Sequence, residues 1–232
     1  MAQKKLLRFA QLKTFSNVLE YPTDMKGAWK NFFRNENPIL LELACGRGEY
    51  TIGLSSIYPQ QNFIGVDVKG NRMYIGAKKA LDNSLGNAAF LRTQVEKISD
   101  YFSKGEVSEI WITFPDPQLR WSKAKKRLTH PRFLRLYNEI LKPGGAINLK
   151  TDSPQLYEFT KTVIELYQLN LVEDSSDVYA EATVKESLKI KTHYESLDIA
   201  QSKKIHYLKF TLPGTIPDLD EQLKEMISHD EQ

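Results

Sequence analysis

Residues 38–67 read PILLELACGRGEYTIGLSSIYPQQNFIGVD, and they decide the fold. Ile39 to Ala44 is an apolar run broken only by Glu42, the pattern of a strand buried on both faces. Cys45-Gly46-Arg47-Gly48 turns the chain, and Glu49 to Tyr58 follows with helical spacing. Asn62 to Asp67 is a second apolar run that ends on an acid. Strand, glycine turn, helix and strand make one βαβ unit, which requires a parallel sheet and a right-handed crossover.

The alternation continues outward. Asn71 to Leu81 predicts a helix with Ala77 and Ala80 facing inward, Ala88 to Thr93 a third strand, and Val95 to Phe102 a short helix. Glu109 to Phe114 is the fourth strand. Thr129-His130-Pro131 starts a helix with Thr129 as N-cap, and Lys142-Pro143-Gly144-Gly145 stops it. Ala146 to Lys150 is the fifth strand, and Ser153-Pro154 opens the next helix. Leu169 to Val172 and Ile205 to Phe210 read as a late antiparallel pair, separated by the long polar segment Glu173 to Lys204. The expected architecture is α/β: a mostly parallel seven-stranded sheet with helices on both faces and an antiparallel edge strand. A chain of 232 residues suits one such domain. It would span 35–212, with a basic arm or helical extension over 1–34 and a tail over 213–232.

Composition narrows the function. Hydrophobic residues make up 41% and charged residues 26%, enough apolar material for a core. Net charge is only +3, so any nucleic-acid binding must come from local clusters. Two exist. Lys4, Lys5, Arg8 and Lys13 lie in the first nineteen residues without an acid. Arg120, Lys123, Lys125, Lys126, Arg127, Arg132 and Arg135 lie between Pro117 and Asn138, also without an acid. Cys45 is the only cysteine, which rules out an internal disulfide and a cysteine-based metal cluster. His130 beside a proline suits a helix start, and it makes no metal pair with distant His193; no metal is expected. No apolar run reaches membrane-spanning length and no signal-peptide core is present, so the expected location is the cytoplasm.

The strand ends carry the chemistry. Gly46 and Gly48 let the backbone turn sharply and approach a ligand. The third glycine of a dinucleotide fingerprint would fall at Thr51, which argues against a pyrophosphate cofactor. Glu42 is costly inside a buried strand unless a hydrogen-bonding or cationic partner meets it, and a cationic cofactor would be one. Asp67 is placed to accept hydrogen bonds from a ribose diol. Pro115 and Pro117 hold Asp116 in a stiff turn past the fourth strand, at the sheet end where α/β ligands bind. The cations that follow, with Lys123, Lys125, Lys126 and Arg127 as backbone contacts, suit a substrate rich in phosphate, and Trp121 offers a ring for a base.

The ordered set E-x-A-C-G-x-G, G-V-D, F-P-D-P with its basic sequel, R-L-T-H-P-x-F, L-K-P-G-G and K-T-D resembles the tRNA (guanine-N7-)-methyltransferases over residues 35–211. The resemblance implies a Rossmann-like class I S-adenosylmethionine-dependent methyltransferase that modifies a guanine of the tRNA variable loop. Carried over by position, Glu42, Gly46 and Gly48 would hold the methionine part of S-adenosyl-L-methionine, Asp67 its ribose and Gln94 its adenine. Asp116 would stand at the methyl-transfer site, as both catalytic and cofactor-binding residue. Arg120, Asp152 and the T-x-[FY]-E-like Thr192, His193, Tyr194 and Glu195 would bind substrate. Guanine N7 has a free lone pair and no proton, so the enzyme need only align donor and acceptor in a dry site. Carboxylates such as Asp116, Asp152 and Glu195 suit the N1–H and exocyclic amine of guanine. Such an enzyme would act as a monomer or homodimer. Two other readings stay open: a methyltransferase with a different acceptor, and a tRNA-binding protein with weak catalysis.

Overall fold

The computed structural model of the chain describes residues 2–197, 201 and 203–229, with side chains from residue 6 to residue 227 of these. Its strands are β1 (Val18–Glu20), β2 (Ile39–Leu43), β3 (Asn62–Asp67), β4 (Ala88–Arg92), β5 (Val107–Thr113), β6 (Leu141–Thr151), β7 (Asn170–Ser175) and β8 (His206–Thr211). The helices are α1 (Ala2–Leu12), α2 (Trp29–Phe33), α3 (Glu49–Ile57), α4 (Gly70–Asp82), α5 (Pro131–Ile140), α6 (Pro154–Leu166), α7 (Glu186–Lys189) and α8 (Asp220–His229).

The strands form one sheet in the order β1-β4-β3-β2-β5-β6-β8-β7. Pairs from β1 to β6 are parallel, and β8 runs antiparallel to both β6 and β7. The mostly parallel α/β sheet with an antiparallel edge is therefore as the sequence implies. It has eight strands where seven were expected. The addition is β1, whose Val18, Leu19 and Glu20 pair with Phe90, Leu91 and Arg92 of β4. Three residues carry too little periodicity to be recognised, and the tertiary pairing makes the strand.

The chain reverses its winding between β2 and β5. β2 is flanked by β3 on one side and β5 on the other, so the carboxyl ends of β2 and β5 form the switch point at which open α/β sheets bind ligands. The glycine turn follows the first of these strands, and the Pro-Asp-Pro turn follows the second.

Local details correct two expectations. The N-cap of α5 is His130, whose Nδ1 accepts from the backbone N–H of Arg132 at 3.2 Å. Thr129 instead shares a buried hydroxyl hydrogen bond with Thr160 at 2.8 Å. The Lys142-Pro143-Gly144-Gly145 stretch lies inside β6, at a register shift against β5, where the missing proline N–H breaks no ladder.

Described residues on both sides of 35–212 pack into the core. Leu12, Trp29, Phe33, Leu223 and Ile227 are all buried. Trp29 stacks on Phe102 with centroids 5.1 Å apart and donates from Nε1 to the Tyr101 carbonyl at 2.9 Å. Asp220 fastens α8 by accepting from Arg135 at 2.8 Å and from the Tyr167 hydroxyl at 2.7 Å. The side chains of Lys4 and Lys5 lie outside the described residues. Part of the long segment between β7 and β8 also belongs to the core: Val178 and Leu188 pack with Tyr50, Trp111 and Tyr207. Among the described residues no helix is long and apolar enough to cross a membrane.

Candidate active site

The turn after β2 uses the left-handed region three times, at Ala44 (φ 54°), Gly46 (φ 56°) and Gly48 (φ 70°). Glycine is required at Gly48, because a Cβ there would stand 2.4 Å from the Phe90 ring. Gly76 of α4 approaches the same turn from outside; a Cβ there would meet the Arg47 carbonyl at 2.2 Å.

Beneath this turn lies Glu42, 3% exposed. Its Oε2 accepts from the Thr51 backbone N–H at 2.7 Å and from the Thr51 hydroxyl at 2.6 Å, and Oε1 accepts from the Thr113 hydroxyl at 3.0 Å. No cation reaches it among the described residues, and burial pushes its carboxyl up to about 7. Sequence reasoning did not find Thr51 and Thr113 as the partners of Glu42. Thr51 occupies the place of the absent third glycine, and its side chain holds the acid of the turn.

Asp67 ends β3 with both oxygens held by backbone. Oδ2 accepts from Gly46 N at 2.9 Å and Oδ1 from Lys69 N at 2.7 Å, which fixes the carboxylate beside the glycine turn. Gln94 is exposed where the chain leaves β4 and enters a short 3₁₀ helix. Cys45 is buried, and burial, reinforced by Glu42 and Asp67, raises its thiol well above the ordinary range, which disfavours the thiolate.

The Pro-Asp-Pro turn after β5 is bounded by two left-handed non-glycine residues, Phe114 (φ 47°) and Gln118 (φ 48°). Each conformation costs roughly 1–2 kcal/mol and needs support from its surroundings. Phe114 N donates to the Lys150 carbonyl at 2.8 Å, joining the turn to β6. Asp116 is exposed, and its Oδ1 accepts from Gln118 N at 3.0 Å.

The basic run divides. Arg120, Lys123, Lys125 and Lys126 are exposed, and no ion pair engages them among the described residues. Arg132 pairs with Glu96 at 3.4 Å, and Arg135 is committed to Asp220. Arg127 is the correction: expected on the tRNA backbone, it is fully buried. Its guanidinium lies 4.9 Å from the Trp121 ring centroid and 4.5 Å from that of Phe159. Nε donates to the Pro117 carbonyl at 3.1 Å and Nη2 to the Gln118 carbonyl at 3.2 Å. Trp121 is half-buried, with its ring on this guanidinium.

Past β6 and β7 the late motif docks on the glycine turn. The His193 backbone N–H donates to Glu49 Oε1 at 3.3 Å. Tyr194 lies against Gly46, 3.8 Å from where a Cβ would be, with the Arg72 guanidinium 5.6 Å from its ring centroid. Thr192 is buried and caps the turn by accepting from Glu195 N at 3.1 Å. Asp152, half-buried, leaves β6 beside the Asp116 strand. Glu195 is turned inward, its side chain 5% exposed. Its Oε2 meets Lys150 Nζ at 3.0 Å, and the Tyr179 hydroxyl donates to Oε1. The oxygens expected to read a base are thus used to fasten the segment.

Lys150 is the centre of that fastening. It is fully buried, and Nζ also donates to the carbonyls of Leu188 at 2.8 Å and Ile190 at 3.0 Å. No group of three His, Cys, Asp or Glu side chains among the described residues could hold a metal.

Known proteins resemble this chain in sequence and in fold. A family profile described as "Putative methyltransferase" matches residues 36–208. A tRNA (guanine-N(7)-)-methyltransferase of Bacteroides thetaiotaomicron is 45% identical, over 97% of this chain and 92% of that protein. Its counterpart from Porphyromonas gingivalis is 47% identical over 87% and 86%. Among solved structures, the 16S rRNA methyltransferase KamB superposes with a TM-score of 0.60 at 16% identity, covering 81% of this chain and 94% of that one. An adenine-1408 16S rRNA methyltransferase from Catenulisporales acidiphilia gives 0.56 at 13%, covering 83% and 92%; both likenesses are of fold. The chain belongs to the tRNA (guanine-N(7)-)-methyltransferase family.

Proposed function

We propose that this protein transfers a methyl group from S-adenosyl-L-methionine to N7 of a variable-loop guanine in tRNA, in the cytoplasm, as a monomer or homodimer. The observation that carries the reading is Glu42, an acid buried beneath a glycine turn with no cationic partner among the described residues. Its donors leave Oε1 with spare accepting capacity, so a positively charged cofactor would find a ready counter-ion. The named activity of relatives at 45% and 47% identity supports tRNA as acceptor.

S-adenosyl-L-methionine would supply a methyl group on a cationic sulfur. The protein's part is placement. Glu42 neutralises the cofactor's charge, the pre-aimed Asp67 accepts from its ribose diol, and Gln94 from its adenine amine. Asp116 and Asp152, on adjacent strand ends, accept from the N1–H and amine of guanine and turn N7 toward the crevice. No base is required, because N7 carries no proton. Arg120, Lys123, Lys125 and Lys126 follow the tRNA phosphates.

The test is methyl transfer from labelled S-adenosylmethionine to unmodified tRNA, with Asp116→Ala beside it, followed by borohydride and aniline treatment. Scission in the variable loop that disappears in the variant supports the proposal. Cofactor binding with no tRNA methylated points to another acceptor, and the absence of both binding and transfer refutes the reading.

A further inference from the structure

We infer that Arg127 is a positioning residue for methyl transfer: it holds the turn that presents Asp116 and makes no contact with tRNA phosphate. The inference rests on the methyltransferase reading above. In sequence Arg127 ends a run of cations whose other members reach solvent. In the fold its guanidinium is sandwiched between Trp121 and Phe159 and has no exposed edge.

Its Nε and Nη2 act as a fork on consecutive carbonyls, those of Pro117 and Gln118. Pro117 has no N–H and Gln118 is left-handed, so no regular ladder can satisfy this stretch. A short relay then runs to the acid. Arg127 holds the Gln118 carbonyl, and the Gln118 N–H donates to Asp116 Oδ1. The direction of the Asp116 carboxylate therefore depends on a residue that the substrate never touches.

The arrangement has a cost that a surface cation would not bear. Burial lowers the basicity of the guanidinium, and Nη1 is buried with no partner. A phosphate-binding arginine would keep that nitrogen in solvent. Lysine does not reproduce the fork, since its one ammonium nitrogen cannot offer two donors from separate atoms held in a plane between two rings. The expected signature is loss of turnover with tRNA affinity intact.

The experiment compares wild type, Arg127→Lys and the double variant Lys125→Ala/Lys126→Ala in tRNA methylation, across a series of salt concentrations. Arg127→Lys is expected to lower kcat by about tenfold or more, with KM for tRNA within about twofold and the salt slope unchanged. The double variant should do the reverse, raising KM and reducing the slope by roughly one per lost phosphate contact. A raised KM and reduced slope in Arg127→Lys would overturn the inference, as would unchanged kcat. If Arg127→Lys does not fold, as judged by its unfolding transition, Phe159→Leu takes its place. Phe159 is buried on α6 against Arg127 and His130, and its replacement loosens one face of the guanidinium while leaving both donors to the turn in place. It should lower kcat with KM kept, and an unchanged kcat overturns the role. A wild type that methylates no tRNA overturns the enzymatic reading itself; an active wild type with either contrary result overturns only the assignment of Arg127.

Discussion

Replacing Glu42 by glutamine should make the cofactor-free protein more stable while removing its response to cofactor. The carboxyl is raised from 4.5 to about 7 by burial, against the opposing pull of its Thr51 and Thr113 hydrogen bonds. A native acid weaker than its unfolded counterpart favours the folded state while protonated. That stability is complete below about pH 4.5 and is lost as pH rises through about 7. At about 1.36 kcal/mol per pH unit, the ionised group costs the fold about 3 kcal/mol at pH 8. Glutamine has the same shape and no charge. Its oxygen can accept from both Thr51 donors, and its amide can donate to the Thr113 hydroxyl. Urea unfolding without cofactor should therefore show Glu42→Gln more stable than wild type by about 3 kcal/mol at pH 8, narrowing to about 1 kcal/mol or less at pH 5. Wild type should gain about 2.7 kcal/mol from S-adenosylmethionine at a hundredfold excess over Kd, and the variant almost nothing. A variant that is destabilised equally at both pH values, or that keeps the full cofactor-induced gain, would refute the reasoning.

Two other substitutions probe the surrounding frame. Lys150→Met fills the same space but leaves Glu195 buried with only the Tyr179 hydroxyl, and frees the carbonyls of Leu188 and Ile190. It should cost about 3–5 kcal/mol in urea unfolding, most of it recovered in Lys150→Met/Glu195→Gln; a loss under about 1 kcal/mol would show that the ion pair is dispensable. Gly76→Ala drives a Cβ into the Arg47 carbonyl, so α4 must retreat from the glycine turn. The expected loss is about 1–3 kcal/mol, despite alanine's better helix propensity, together with a weakened thermal shift by S-adenosylmethionine; an unchanged shift would show that the contact does not shape the site.

The fold was largely legible because its signals are local. The strand–turn–helix–strand unit of residues 38–67 appears in the structure as β2, α3 and β3, and Glu42 is conspicuous as an acid inside an apolar run. What stayed hidden depends on partners far along the chain. Thr113 reaches Glu42 from β5, and no spacing rule ties the two residues together. Arg127 lies among lysines, so its neighbours suggest solvent; Phe159, on a later helix, decides that it is buried. Glu195 matches a substrate-binding pattern, yet Lys150 draws it inward, and a lysine within a strand gives no sign that it will be fully enclosed. Local chemistry identified the turns, and tertiary packing assigned several of the charges around them.

The place of β8 in the sheet bears on how the protein is made. It is the last strand to leave the ribosome, yet it lies between β6 and β7. Until His206–Thr211 has emerged, the nascent chain holds an unpaired β6 edge carrying Ile147 and Leu149, and β7 has no strand to join. At 5–20 residues per second, synthesis of the intervening chain leaves that edge open for about 3–10 s. An open apolar edge is a template for pairing with another chain. Early release from the ribosome before β8 should therefore yield a product that aggregates, although it would already contain both the glycine turn and Asp116.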